Sequence, residues 1–210
     1  MTTTSYLTLA GDREVEIEVK RSRFRCTLAR VETEDEARAV VDGLRREHWQ
    51  ARHHCSAFVL GPDAEVARSS DDGEPSGTAG APMLEVLNGA QVRDVVAVVT
   101  RWFGGVLLGT GGLVRAYGDS VRAALEQAGT VRRMLVLERE LVVPHGDAGR
   151  IDNELRARGV RLLDVEYAAE VTLRIGVPAA EQDTLAPLVA QLTGGTGRLH
   201  AVGSRWVDTP

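Results

Sequence analysis

The sequence predicts an α+β protein of two consecutive domains, ordered ββαβαβα and then βαββαβ. Three observations lead there. Hydrophobic periodicity switches repeatedly between two and about 3.6 residues, as strands alternating with helices require. The strand–helix order restarts after Gly129. The length of 210 residues is long for one compact domain and suits two of about 100 each.

In the first half, residues 14–19 (EVEIEV) alternate polar and apolar, as a half-buried strand does. Residues 22–31 (SRFRCTLARV) alternate again, with a bend at Ser22-Arg23. Residues 33–48 then change period. Thr33 with Glu36 reads as a capping box, and Ala37, Val40, Val41 and Leu44 fall on one helical face. Residues 55–60 (CSAFVL) read as a buried strand. A polar stretch from Gly61 to Gly80 follows and ends in Ala81-Pro82, a good helix start because proline suits the first turn. That helix runs through Met83–Leu87 and stops near Asn88-Gly89. Residues 94–100 (DVVAVVT) form a buried strand, and a glycine-rich loop leads to a helix from about Leu113 to Ala128, closed by Gly129.

In the second half, residues 133–143 form a strand, and 147–158 a helix that stops at Gly159. Residues 160–166 and 169–177 form two strands joined by a turn around Tyr167-Ala168. Residues 179–193 form a helix and 197–207 a last strand. The order is the ferredoxin-like split pattern. The domains are assigned to residues 1–130 and 134–207.

Composition narrows the function. Hydrophobic residues make up 43% of the chain, enough for a folded core and against wholesale disorder. No stretch approaches the roughly 20 apolar residues that cross a membrane, so no membrane partner is expected. Met1 to Arg13 lacks the pattern of a signal peptide, and the expected location is cytoplasmic. Two cysteines, Cys26 and Cys55, make no disulfide framework and read as buried thiols on strands. The net charge of −5 excludes a chain that is basic all over, but it permits a local basic patch.

Three segments carry chemistry. In Asp71–Pro82, carboxylates, glycines and hydroxyls crowd a stretch far longer than a plain turn. Asp71, Asp72 and Glu74 present hard oxygens, with Ser76 and Thr78 beside them, but no metal-ligand spacing is matched and no metal or cofactor is expected. In Arg101–Gly118, a buried strand runs into Gly104, Gly105, Gly109, Thr110, Gly111 and Gly112 and then a helix. Free N–H groups at a helix start attract anions, glycine allows close approach, and Arg101 and Arg115 add donors. Equally, those glycines serve tight strand–helix packing. The standard nucleotide loops are not matched. In Ala51–Ser56, His53 and His54 point to opposite faces of a strand and are poorly placed to share a metal. A general base is one use of either; one packed and one exposed histidine is the plainer reading. Hydrolase, zinc and metalloprotease motifs are unsupported.

KRSRF (20–24), RHHC (52–55), SDDGEPSGTAGAPML (70–84) and VVTRWFGGVLLGTGGLVRAYG (98–118) together resemble the IMPACT/YigZ family, in the right order over residues 20 to 118. The second half resembles the small second domain of bacterial members by element order alone. Trp102-Phe103 stands where relatives often carry two tyrosines, so a phenolic hydroxyl contact there would be absent. The resemblance implies a ribosomal protein S5 domain 2-like fold for the first domain, as in elongation factor G domain IV. It implies a ferredoxin-like second domain like those of elongation factor G. Eukaryotic relatives restrain a stress kinase through its activator, using a partner-binding domain with no counterpart in these 210 residues; that role is not carried over.

The resulting expectation is a translation-associated protein contacting RNA or the ribosome, with a role in translational regulation. The alternatives are an enzyme acting on a phosphorylated or peptide-like small molecule, and a regulatory module for a protein partner. Catalysis is the less favoured reading. The candidate contacts are Arg101, Gly104, Gly105, Gly109, Thr110, Gly111, Gly112, Arg115 and Tyr117, supported by His53, His54, Asp71, Asp72, Glu74, Ser76 and Thr78. Both segments are expected to face one site, with Asp71 and Asp72 bracing the glycine loop.

Overall fold

The computed structural model describes residues 3–209. The chain divides into two compact units, one ending at Arg132 and one running from Arg133 to Thr209.

The first unit contains β1 (Ser5–Leu9), β2 (Arg13–Val19), β3 (Ser22–Arg30), α1 (Glu34–Glu47), β4 (His53–Leu60), β5 (Val66–Ser70), α2 (Gly80–Gly89), β6 (Val95–Trp102) and α3 (Thr110–Ala128). Its sheet runs β2-β3-β6-β4-β5 with every neighbouring pair antiparallel. The central strand β6 is buried almost throughout, because helices cover both faces. Cys26, Leu28, Cys55, Ala97 and Val99 pack with Met83 and Leu87 of α2 and Leu113, Tyr117 and Val121 of α3. The alternate residues Ala29, Phe58, Val96 and Val98 pack with Ala37 and Leu44 of α1. A strand covered on both faces reads as a continuous apolar run, which is why 94–100 is so legible. The unit has the ribosomal protein S5 domain 2-like fold.

The element order gains two strands over the predicted ββαβαβα. β1 is five residues within a polar N-terminal stretch, too short to show a period. Arg93 N donates to Leu7 O at 2.8 Å, and the Tyr6 hydroxyl bonds Asp94. β5 (VARSS) is an edge strand, mostly exposed and held by its ladder to β4; such a strand carries no apolar alternation. The β2–β3 turn is at Lys20-Arg21 and not at Ser22-Arg23. Both turn residues have positive φ, 48° and 66°, as a two-residue type I′ hairpin requires. Neither is Gly or Asn, so the usual turn signal is absent. Ser22 opens β3 and is buried.

The second unit contains β7 (Thr130–Val143), α4 (His145–Ala157), β8 (Arg161–Tyr167), β9 (Val171–Pro178), α5 (Gln182–Leu192) and β10 (Leu199–Thr209). β9 lies between β7 and β8, antiparallel to both, and β10 pairs with β7. This is the ferredoxin-like arrangement. Leu141, Ile151, Leu155, Leu173, Ile175 and Leu185 fill its core. Among the described residues, no helix is long and apolar enough to cross a membrane.

The start of α1 shows sequence setting local structure. The Thr33 side chain accepts from Glu36 N at 3.2 Å, and the Glu36 carboxylate accepts from Thr33 N at 3.3 Å. Thr33→Ala should lower stability by about 1 kcal/mol, read as a shifted denaturant midpoint with an unchanged slope.

Candidate functional site

Register brings the marked segments to one end of the first unit's sheet. Arg23 opposes Trp102, and His53 opposes Arg101. The Lys20-Arg21 turn, the start of β4 and the end of β6 therefore share that end. Ser56 opposes Ser70, so β5 delivers residues 71–79 to the same place. The loop 103–109 leaves β6 there and starts α3.

Glu74 ties these pieces together. Its carboxylate is buried and accepts from Arg101 Nη1 at 2.6 Å and from the Tyr117 hydroxyl at 2.7 Å. His53 Nε2 lies 3.9 Å away. Arg101 is buried too, and its guanidinium carbon sits 5.3 Å from the centre of the Phe24 ring and 5.7 Å from that of Phe103. Tyr117 meets Phe24 edge-on at 5.2 Å. Burial, then the neighbouring Cys55 and Glu74, push the phenol far above its ordinary range, so it stays a donor. Arg101 Nη1 and the Tyr117 hydroxyl are therefore spent inside the fold, while Arg101 Nε is buried without a hydrogen-bond partner among the described residues.

The two aspartates do not brace the glycine loop; Glu74 is the residue that reaches segment 101–118. Asp71 folds back on its own loop, accepting from Gly77 N at 2.8 Å, Ala79 N at 3.0 Å and Gly80 N at 2.8 Å. Burial alone would raise its pKa, but the Gly77, Gly80 and Ala79 amides outweigh that and hold it below the usual value. Asp72 accepts from His54 N at 2.6 Å and from Arg45 Nη2 at 2.6 Å, which ties the loop to β4 and α1. Gly73 follows with φ of 84°, and its missing Cβ would lie 3.6 Å from His53 Nδ1. Thr78 is buried and donates to Pro75 O at 2.7 Å, while Ser76 is exposed.

His53 and His54 separate by face. The His53 ring bonds Asp72 O through Nδ1 at 2.9 Å. His54 is buried, and desolvation lowers its pKa, against the pull of Asp72. Cys55 lies under Asp71 O at 3.0 Å and the Tyr117 hydroxyl at 3.3 Å. Burial pushes its thiol up to about 12, so it is inert. Among the described residues, no group of three or more His, Cys, Asp or Glu is placed to hold a metal ion.

The glycine loop faces outward, except at Gly104 and at Leu108, which packs against the core. A Cβ there would come within 2.0 Å of the Arg21 backbone, and Gly104 N donates to Ser22 Oγ at 3.1 Å. The turn in KRSRF thus seats the loop. Gly105 and Gly109 have φ of 85° and 73°. Gly105, Gly109, Thr110 and Gly111 are exposed and Gly112 is half-buried. α3 starts without a side-chain cap, leaving its first N–H groups open. Arg115 is exposed and, with Gly111, Pro82 and Val114, lines a groove of ≈ 820 Å³ between α2 and α3.

Sequence reasoning missed the outer surface of this end. Trp102 carries the guanidinium carbons of Arg23 and Arg25 at 4.6 and 5.3 Å from its ring centre, and His48 meets it edge-on at 5.4 Å. Phe103 is 46% exposed. Gln50 and Arg52, from the α1–β4 connection, complete a recess with Trp102 and Phe103. The available signal was an aromatic pair ending a buried strand in a chain with only 4% aromatics.

Two family models match the chain: the Impact N-terminal domain over residues 20–125, and a domain of unknown function, DUF1949, over 141–196. The chain is 42% identical over 191 residues to IMPACT family member YvyE of Bacillus subtilis, covering 91% of this chain and 88% of that protein. It is 40% identical over 200 residues to IMPACT family member YigZ of Escherichia coli, covering 94% and 98%. A solved structure titled as that of a hypothetical protein superposes with a TM-score of 0.65 at 40% identity, covering 96% of this chain and 98% of that one.

Removing one partner of a buried ion pair costs about 3–5 kcal/mol, so Glu74→Ala should destabilise by that order in chemical denaturation. Tyr117→Phe should cost about 1 kcal/mol. Acid stability should fall in two stages. His54 has a folded pKa below its unfolded 6.5, so the unfolded chain binds more protons and stability drops as pH falls through about 6.5. Asp71 has a folded pKa below 3.8, so its contribution is full above that value and lost as pH falls through the folded one. Asp71→Asn should be less stable at pH 7 and lose less between pH 5 and pH 3, as followed by thermal melts.

Proposed function

The chain belongs to the IMPACT family, and on that premise we propose that it is a cytoplasmic, translation-associated protein that contacts RNA, free or in the ribosome, through the outer surface at the end of β6. One observation carries the reading: Trp102 and Phe103 are held at an open surface beside arginines. Single-stranded nucleic acid is bound by this pairing of stacking rings and cations.

The electrostatics support it. Read from sequence, the acidic loop and the glycine loop conflict, since one repels phosphate and the other attracts it. In the fold, Asp71 is spent on backbone amides, Asp72 on Arg45 and His54 N, and Glu74 on Arg101 and Tyr117. Lys20, Arg21 and Arg52 are exposed, and none has an acidic or hydrogen-bonding partner among the described residues. The open N–H groups of Thr110, Gly111 and Gly112, with Arg115, offer a further phosphate contact. The net charge of −5 is therefore no obstacle to a local cationic surface. In the buried Glu74–Arg101–Tyr117 set the carboxylate is held by Arg101 Nη1 and the Tyr117 hydroxyl, which favours binding over catalysis, because no acid or base in it faces a substrate. Regulation of translation is the role proposed for such a contact.

Binding of a short single-stranded RNA should weaken steeply with salt, and the chain should co-sediment with ribosomes at low salt. Arg52→Ala and Arg115→Ala should each lower affinity across sequences and reduce the slope of log K against log salt by about 1. Neither should unfold the domain. No binding at low salt would overturn the proposal, and full binding by Arg115→Ala would remove the α3 start from it.

A further inference from the structure

We propose that the recess lined by Gln50, Arg52, Trp102 and Phe103 holds one unpaired nucleobase, an inference that rests on the RNA reading and names what that surface takes. The recess measures ≈ 190 Å³ and opens to solvent at the end of β6.

Its two rings are held before any ligand arrives. Trp102 is fixed by His48 and by Arg23 and Arg25, and those arginines are themselves tied to carboxylates: Arg25 to Glu16 at 3.0 Å and Glu14 at 3.5 Å, Arg23 to Glu16 at 3.7 Å. Phe103 packs on Arg101, which Glu74 anchors from inside. A ring already held by its neighbours, as Trp102 is, loses little entropy on binding, so a planar ligand gains most of its stacking energy there.

The polar walls complete the fit. Gln50 is exposed and makes no hydrogen bond among the described residues, so its amide has a donor and an acceptor to offer a base edge. Arg52 is likewise uncommitted and suits a phosphate or a base acceptor. The charge surroundings select the ligand class. No carboxylate lines the recess; Arg23, Arg25 and Arg101 beside its rings are paired with Glu14, Glu16 and Glu74, and Arg52 in its wall has no acidic partner among the described residues. A cationic guest, the usual occupant of an aromatic cage, is repelled here. A neutral planar group attached to an anionic backbone is favoured. A single-stranded nucleotide has both parts.

The test uses the full chain with two probes of equal length and charge: a ten-nucleotide single-stranded RNA, and the corresponding abasic ribose-phosphate chain. Fluorescence anisotropy at low salt should show the base-bearing chain binding about tenfold tighter. Phe103→Ala should cut that preference to within about twofold; Phe103 is exposed, so the fold should survive. Gln50→Ala should flatten differences among homopolymers of the four bases. Equal binding of the two probes by the unaltered protein would overturn the base pocket and leave phosphate contact standing. A full preference retained by Phe103→Ala would place base stacking elsewhere. No binding of either probe would overturn the RNA reading as well.

Discussion

The carboxylate of Glu74 is buried where the loop after β5, the end of β6 and the middle of α3 cross. A buried carboxylate must be compensated, and a single residue from each neighbouring segment does it: Arg101 from the strand and Tyr117 from the helix. The length and composition of residues 71–80 follow from this. The loop has to descend from an edge strand, turn its glutamate inward, and rise into α2. Asp71 makes the turn stable by collecting three backbone amides, and Gly73 makes it passable with a positive φ beside the His53 ring. The crowded carboxylates serve the fold: Asp71 holds its own turn, Asp72 ties it to Arg45 and His54 N, and Glu74 ties it to Arg101 and Tyr117.

The same constraint creates the outer surface. Along β6, alternation sends Arg101 to the α2–α3 face and Trp102 to the α1 face. Glu74 neutralises the first and fixes the strand end, so the second is presented in a set position. The Lys20-Arg21 turn adds cations there and closes on Gly104, whose missing side chain permits the contact. Asp71, Asp72 and Glu74 are committed to partners within the fold, while Lys20, Arg21 and Arg52 stay exposed without acidic partners among the described residues, which is how an acidic chain offers a local cationic face.

Much of the fold is legible in the sequence, because covered strands such as 94–100 and capped helices such as α1 carry their own periodic and capping signals. β1, β5 and the hairpin turn are not legible, since a short strand, a polar edge strand and a turn without Gly or Asn lack those signals. The site is legible only as a set of unusual segments. Asp71, Asp72 and Glu74 are chemically alike in a string of letters, and their different partners lie 6 to 43 positions away. Arg101 reads as an anion donor until its partner, 27 positions earlier, is seen. Trp102-Phe103 shows the loss of two hydroxyls more readily than the gain of a stacking surface.

The most direct test of the claim that the Glu74-braced end of the sheet is the RNA contact is ultraviolet cross-linking of a single-stranded RNA to the whole protein, followed by peptide mapping. Adducts should concentrate on residues 20–23, 50–53 and 102–112. Adducts confined to residues 133–209, or to the α2–α3 groove around Val86 and Leu125, would contradict it.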